Sequence, residues 1–193
     1  AGNVDLKGTS RSTGFSADRT ITTSSANGNV TLGAVNSAFG LTVAAGSGTI
    51  STVTIGAVTP LAFITFTGSG TNTIAGNISS FGAINLGSSR TSNISSTYTI
   101  SSSGDLTVGA INLTAGSTLT LDASSGNIAV SSITGPGSGS NANVTFSNSG
   151  TVAVSGDVAT RIGTLWLNKT SGNVSFAGSL QISQFKSDAS AAY

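Results

Sequence analysis

Apolar and polar positions alternate in short runs along most of the chain. VTLGAV (residues 30–35) and LTVGAI (residues 106–111) turn Val, Leu and Ile to one side and Thr and Gly to the other. Alternation with a period of two predicts strands with one buried and one solvated face. The runs are punctuated by a recurring unit: a glycine, a small polar residue, then Val, Ile or Leu. It reads GNV at Gly28, GTI at Gly48, GTN at Gly70 (the weakest copy), GDL at Gly104, GNI at Gly126, GTV at Gly150 and GNV at Gly172. Most steps are roughly 20–24 residues, the spacing of a repeat unit. The step from Gly70 to Gly104 is longer, and GNI at Gly76 falls out of phase. Two or three short strands per period predict an all-β chain wound as a single-stranded β-solenoid. Each recurring glycine is expected at a corner, where φ is positive or the turn is tight.

A longer repeat lies over the short one. GNVTLGAVN (residues 28–36) matches GDLTVGAIN (residues 104–112), and FITFTGSGTNTIAGNI (residues 63–78) matches NVTFSNSGTVAVSGDV (residues 143–158). The offset from Gly28 to Gly104 is nearly that from Phe63 to Asn143. This order predicts a tandem duplication, 24–100 and 101–180, inside one solenoid spanning 24–180. The charge-rich segment 1–23 is expected to be a cap or docking segment, and 181–193 a closing strand with a tail of small residues. Two β-sandwiches joined near residues 88–103 are the alternative. TGPGSGSNAN (residues 134–143) carries Pro136 between glycines and reads as a loop bulging from one corner. Of Phe63 and Phe66, three residues apart, only one can face inward on a regular strand.

Composition sharpens the picture. Charged residues are 7% of 193, Glu, His, Met and Cys are absent, and no charge separates Arg19 from Arg90. Amphipathic helices need a charged face, and Ser, Thr, Asn and Gly form helices poorly. A solenoid needs few charges, because main-chain groups pair with neighbouring turns and the outer face can be Ser and Thr. The net charge of +1, spread along the chain, argues against a nucleic-acid surface. No apolar run reaches the length of a membrane-spanning helix. The chain starts at Ala, which suggests a processed or excised piece, and the absence of Cys fits a surface protein without disulfides.

Candidate chemistry is sparse. Asp105 and Asp122, a little less than one period apart, are the best pair for cleaving polysaccharide, with Trp166 as a sugar-stacking platform. No basic side chain stands near them in sequence and no His or Cys is present to activate a nucleophile, so they read as solvated corners. A lone Trp in TLWLNKT is more often core or a cap contact. No metal site or cofactor is expected, since the Asp residues form no calcium-loop pattern. The Thr triplets at 52–54, 71–73 and 118–120 sit at different phases, which argues against an ice-binding face. Asn29, Asn77, Asn93, Asn112, Asn143, Asn168 and Asn173 begin N-x-Ser/Thr sequons and are candidate glycosylation sites. Asp5, Lys7, Arg11, Phe63, Phe185 and Lys186 are candidate contacts between copies, because a solenoid exposes two strand edges at its ends.

The stretch GNVTLGAVNSAFGLTVAAGSGTISTVTIGAVTPLAFITFTGSGTNTIAGNI resembles the repeat regions of large bacterial surface proteins of the filamentous haemagglutinin type, whose rungs share the flavour G-x-[VIL]-T-[VILF]-G-[AG]-V. The resemblance covers most of 24–180. It implies a right-handed β-helix at or beyond the cell surface, acting as a shaft or adhesive rod, without catalytic residues. Those proteins are very long, so a chain of this size is expected to be a fragment or a small polymerising subunit. The function expected is a non-enzymatic segment or subunit of an extracellular fibre or adhesin shaft. Expected partners are further copies or neighbouring rungs, or a host or carbohydrate surface. The alternatives are a homopolymer joined through the N- and C-terminal segments and, in another class, a carbohydrate-binding or polysaccharide-cleaving β-helix.

Overall fold

The computed structural model describes residues 2–7, 13–124 and 126–188, and they form a β-solenoid of about eight turns. Each turn lays one short strand on each of three faces. The first turn holds β1 (Val4–Leu6), Thr13 and β2 (Arg19–Thr22) on the first, second and third faces. The second holds β3 (Val30–Leu32), Val35 and β4 (Leu41–Ala44), and the third β5 (Ile50–Thr52), Ile55 and β6 (Ile64–Thr67). The fourth has β7 (Thr71–Ile74), β8 (Ile78–Ser80) and β9 (Ile84–Asn85), and the fifth opens with β10 (Thr91–Ile94) and β11 (Thr97–Ser102). From there strands run through corners: β12 (Leu106–Leu113) and β14 (Ile128–Thr134) each pass from the third face to the first face of the next turn. β13 (Thr118–Asp122), β15 (Ala142–Ser147) and β16 (Val152–Val154) complete turns six and seven. β17 (Val158–Asn168) covers two faces of turn eight, β18 (Val174–Phe176) the third, and β19 (Leu180–Ser187) begins a ninth.

Every strand pairing among the described residues is parallel, and inward positions stack on inward positions. On the first face the column runs Val4, Val30, Ile50, Asn72, Ser92, Ile111, Ile133, Val158, Leu180. At about 4.8 Å per turn the rod is about 40 Å long. A purely parallel sheet has both main-chain directions satisfied by adjacent turns, so side chains are free to fill a narrow dry interior. The interior is Val, Ile and Leu with Phe66 and Phe146, all less than 5% exposed. Burying one such side chain is worth about 1.5–3 kcal/mol. Residues 88–103 carry β10 and β11 inside the stack, so the two-sandwich alternative is set aside. The loop expected at 134–143 spans the gap between β14 and β15.

The duplication maps onto the turns with a shift. Val30 lies on the first face of turn two and its match Leu106 on the third face of turn five. Phe66 lies on the third face of turn three and its match Phe146 on the second face of turn seven. Both displacements equal eleven faces, one short of four whole turns. The glycine ladder shifts with them. Gly28, Gly48 and Gly70 precede first-face strands, whereas Gly104, Gly126, Gly150 and Gly172 precede third-face strands. The long step from Gly70 to Gly104 is one turn plus two faces.

These glycines are not at positive φ. Gly46, Gly56, Gly68, Gly87, Gly116 and Gly139 hold that conformation instead. The ladder glycines are there for closeness: a Cβ on Gly48 would strike the carbonyl of Gly28, and one on Gly126 the carbonyl of Gly104. Main chain lies on main chain at these corners, with no room for a side chain.

Candidate functional site

Polar side chains at the corners act between turns. Asn29 Oδ1 accepts from the Thr49 N–H at 2.8 Å, Asn77 Oδ1 from Thr99 at 2.9 Å, and Asn143 Oδ1 from Thr164 at 2.9 Å. Asp18 serves Gly40 and Asp157 serves Ser179 in the same way. Asp105 Oδ1 accepts from the N–H of Asn127 at 2.8 Å, and Asn127 Oδ1 in turn accepts from the N–H and hydroxyl of Thr151. A corner leaves some N–H groups unpaired, and a short amide or carboxylate one turn away supplies the acceptor.

This assigns the expected pair of acids. Asp105 opens a third-face strand and stacks on Asn127, while Asp122 ends a second-face strand, takes the Ser124 N–H on Oδ1 and the Asn148 side-chain amide on Oδ2. Each carboxylate is bound into its own corner. Among the described residues no group of three or more His, Cys, Asp or Glu is placed to hold a metal ion. Of the other sequon residues, Asn112 donates to Asn93 at 3.2 Å along the outside of the first face, Asn168 donates to Ser147 at 3.4 Å, and Asn173 is exposed at a corner. Trp166 faces outward, 37% exposed, between Thr145 and Lys186 of the adjoining turns; it is neither core nor cap, because Leu165 and Leu167 take the inward positions of its strand.

The candidate contacts between copies lie far apart. Asp5 accepts from the Lys7 N–H in turn one, and Arg11 falls outside the described residues. Phe185 and Lys186 sit on β19 at the other end, where Phe185 joins Val174, Phe176, Leu180 and Ile182 around an open apolar hollow. At the first turn the third-face column opens not with an apolar residue but with Arg19, paired to Leu41. Phe63 is half-buried, its ring lying where a side chain of Gly40 would be, and Phe66 is the inward member of that pair.

Two features had no counterpart in the sequence reading. Arg90 is 1% exposed, and all five of its N–H donors are used. Nε donates to Asn72 Oδ1, Nη1 to the carbonyls of Gly46 and Thr67, and Nη2 to those of Gly48 and Thr71, at 2.7 to 3.2 Å. Burial lowers its pKa from the usual arginine value, yet guanidinium remains charged at any working pH. The second is a line of phenylalanines at the corner entering the third face: Phe15, Phe39, Phe63 and Phe81, one in each of the first four turns. Phe39 is 39% and Phe81 63% exposed, and Val58, on the same corner of turn three, is 84% exposed. In turns five to eight that corner is built mainly of Ser, Gly, Asn and Thr, with Asp105 and Lys169 and no aromatic residue.

Compared with protein-family models, with curated proteins and with solved structures, the chain matches none.

Proposed function

We propose that this chain is a non-enzymatic structural element, a shaft segment or subunit of an extracellular or cell-surface fibre. One observation carries the reading: parallel pairing runs unbroken from β1 to β19, and side-chain acceptors one turn away tie the corners to each other. Force along the axis then loads main-chain hydrogen bonds on three faces together, and few segments open locally to proteases. The outer face of Ser, Thr and Asn keeps such a rod wetted with little charge. Stretching single tethered molecules tests the reading. A shaft resists force until turns unravel one after another, and it survives prolonged protease treatment. Unfolding at low force with ready proteolysis, or turnover of a polysaccharide that disappears in Asp122→Asn, overturns it.

The apolar hollow around Phe176 and Phe185 favours a second form of the same reading, in which rods join at their ends. A heterologous end contact propagates into a filament. Filaments of uniform width in negative-stain micrographs at raised concentration support joining, and isolated short rods exclude it.

A further inference from the structure

We infer that the phenylalanine corner of turns two to four is a binding surface for a neutral, extended polysaccharide, with Phe39 and Phe81 as stacking platforms. This goes beyond the shaft reading and stands independently of it. The same corner in turns five to eight is small and polar. Here it instead exposes Phe39, Val58 and Phe81. The three exposures amount to about 300 Å², taking about 200 Å² for an open aromatic side chain. That is the size of a small functional patch, and well below the roughly 800 Å² per partner of a stable protein dimer.

Charge and spacing narrow the occupant. No charged residue lies between Arg19 and Arg90, and Arg90 is sealed inside the rod, so turns two to four offer a polyanion no cation. At the near end exposed Asp18 and Arg19 stand side by side and offset each other; at the far end Asp105, tied through one oxygen to a main-chain N–H, disfavours an anionic chain. The apolar C–H face of a neutral sugar stacks on an aromatic ring without needing charge. Phe39 and Phe81 stand two turns apart, about 10 Å along the axis, comparable to one disaccharide repeat of an extended β-1,4-linked glycan. Beside the Val58 loop a shallow groove presents Thr54, Asn77, Ser79, Thr99 and Ser101, whose hydroxyls and amide suit sugar hydroxyls.

The test uses the whole chain, co-sedimented with microcrystalline β-1,4-glucan and run through gels containing soluble hydroxyethyl cellulose or polygalacturonate. Retention by the two neutral glucans, unaffected by salt and weakened about tenfold for each ring removed in Phe39→Ala and Phe81→Ala, is expected. Circular dichroism melts of both variants check that the fold persists, and Phe81→Tyr, which keeps the ring, restores retention. Trp166→Ala leaves it unchanged. Absence of retention by the neutral glucans, retention equal in the double variant, or preference for polygalacturonate overturns the inference. A concentration-dependent dimer abolished by Phe81→Ala also overturns it, by assigning the corner to a second copy.

Discussion

Arg90 donates its Nε–H to Asn72 Oδ1 at 2.7 Å, and both side chains are sealed inside the rod. Asn72 stands between Ile50 and Ser92 in an otherwise apolar column and also donates to the Leu86 carbonyl and the Ser92 hydroxyl. Together they staple three successive corners, because the arginine reaches carbonyls on turns laid down 19 to 44 residues earlier. Replacing Arg90 by Met takes this donor from the Asn72 oxygen and from the carbonyls of Gly48, Thr67 and Thr71, while the Gly46 carbonyl keeps the Ser69 and Gly70 N–H groups. Unfolding in urea is expected to show a loss of about 3 kcal/mol, the cost of leaving buried neutral acceptors unsatisfied. Arg90→Lys, with three donors in place of a planar five, recovers only part of it.

Thr52 is a second polar intruder, and a lone one. Its hydroxyl is buried without a partner, and it lies between Leu32 and Ile74 in its column. Thr52→Val has nearly the same shape and removes the unpaired group. The variant is expected to gain about 1 kcal/mol in the same urea titration.

The glycine ladder predicts a sharp contrast between positions of one residue type. Gly48→Ala pushes a methyl group into the Gly28 carbonyl, whereas a Cβ at Gly137 meets nothing within 4 Å and the backbone there is not at positive φ. Gly48→Ala is expected to lower the melting temperature strongly, by about 2 kcal/mol or more of stability. Gly137→Ala stays within about 0.5 kcal/mol of the parent.

Corner acceptors should tolerate exchange but not deletion. Asn77→Asp keeps an oxygen for the Thr99 N–H, so thermal melts are expected to move little. Asn77→Ala leaves that N–H without its acceptor and costs about 1 kcal/mol.

Arg19 occupies the end of a column whose next members are Leu41 and Ile64. Arg19 is exposed there, and a charge on an edge strand discourages further pairing. Arg19→Leu is expected to increase self-association, read as concentration-dependent growth in sedimentation velocity. Unchanged monomer would mean that this edge is blocked by something other than the charge.

The winding itself was legible, because alternation and glycine spacing are written in side chains. What each glycine does was not: positive φ and close main-chain approach both demand the same residue, and only the position of Gly28 beneath Gly48 separates them. The longer step after Gly70 breaks the phase in the sequence because the ladder there moves from the first face to the third. Arg90 could not be placed, since four of its five partners are main-chain carbonyls, which carry no signature in a sequence. The phenylalanine corner was hidden for another reason. Corner loops differ in length, so the step from Phe63 to Phe81 is shorter than those from Phe15 to Phe39 and from Phe39 to Phe63, and the line resembles scatter.

The eleven-face displacement between the two copies has a consequence for how such a chain can grow. A segment copied in whole turns returns to the same side of the rod, but one copied in thirds of a turn arrives rotated by a third of a revolution and still fits. The three sides are thus interchangeable slots of a threefold screw. Lengthening by any number of slots preserves the interior while carrying a decorated edge, such as the phenylalanine corner, around the axis in a spiral.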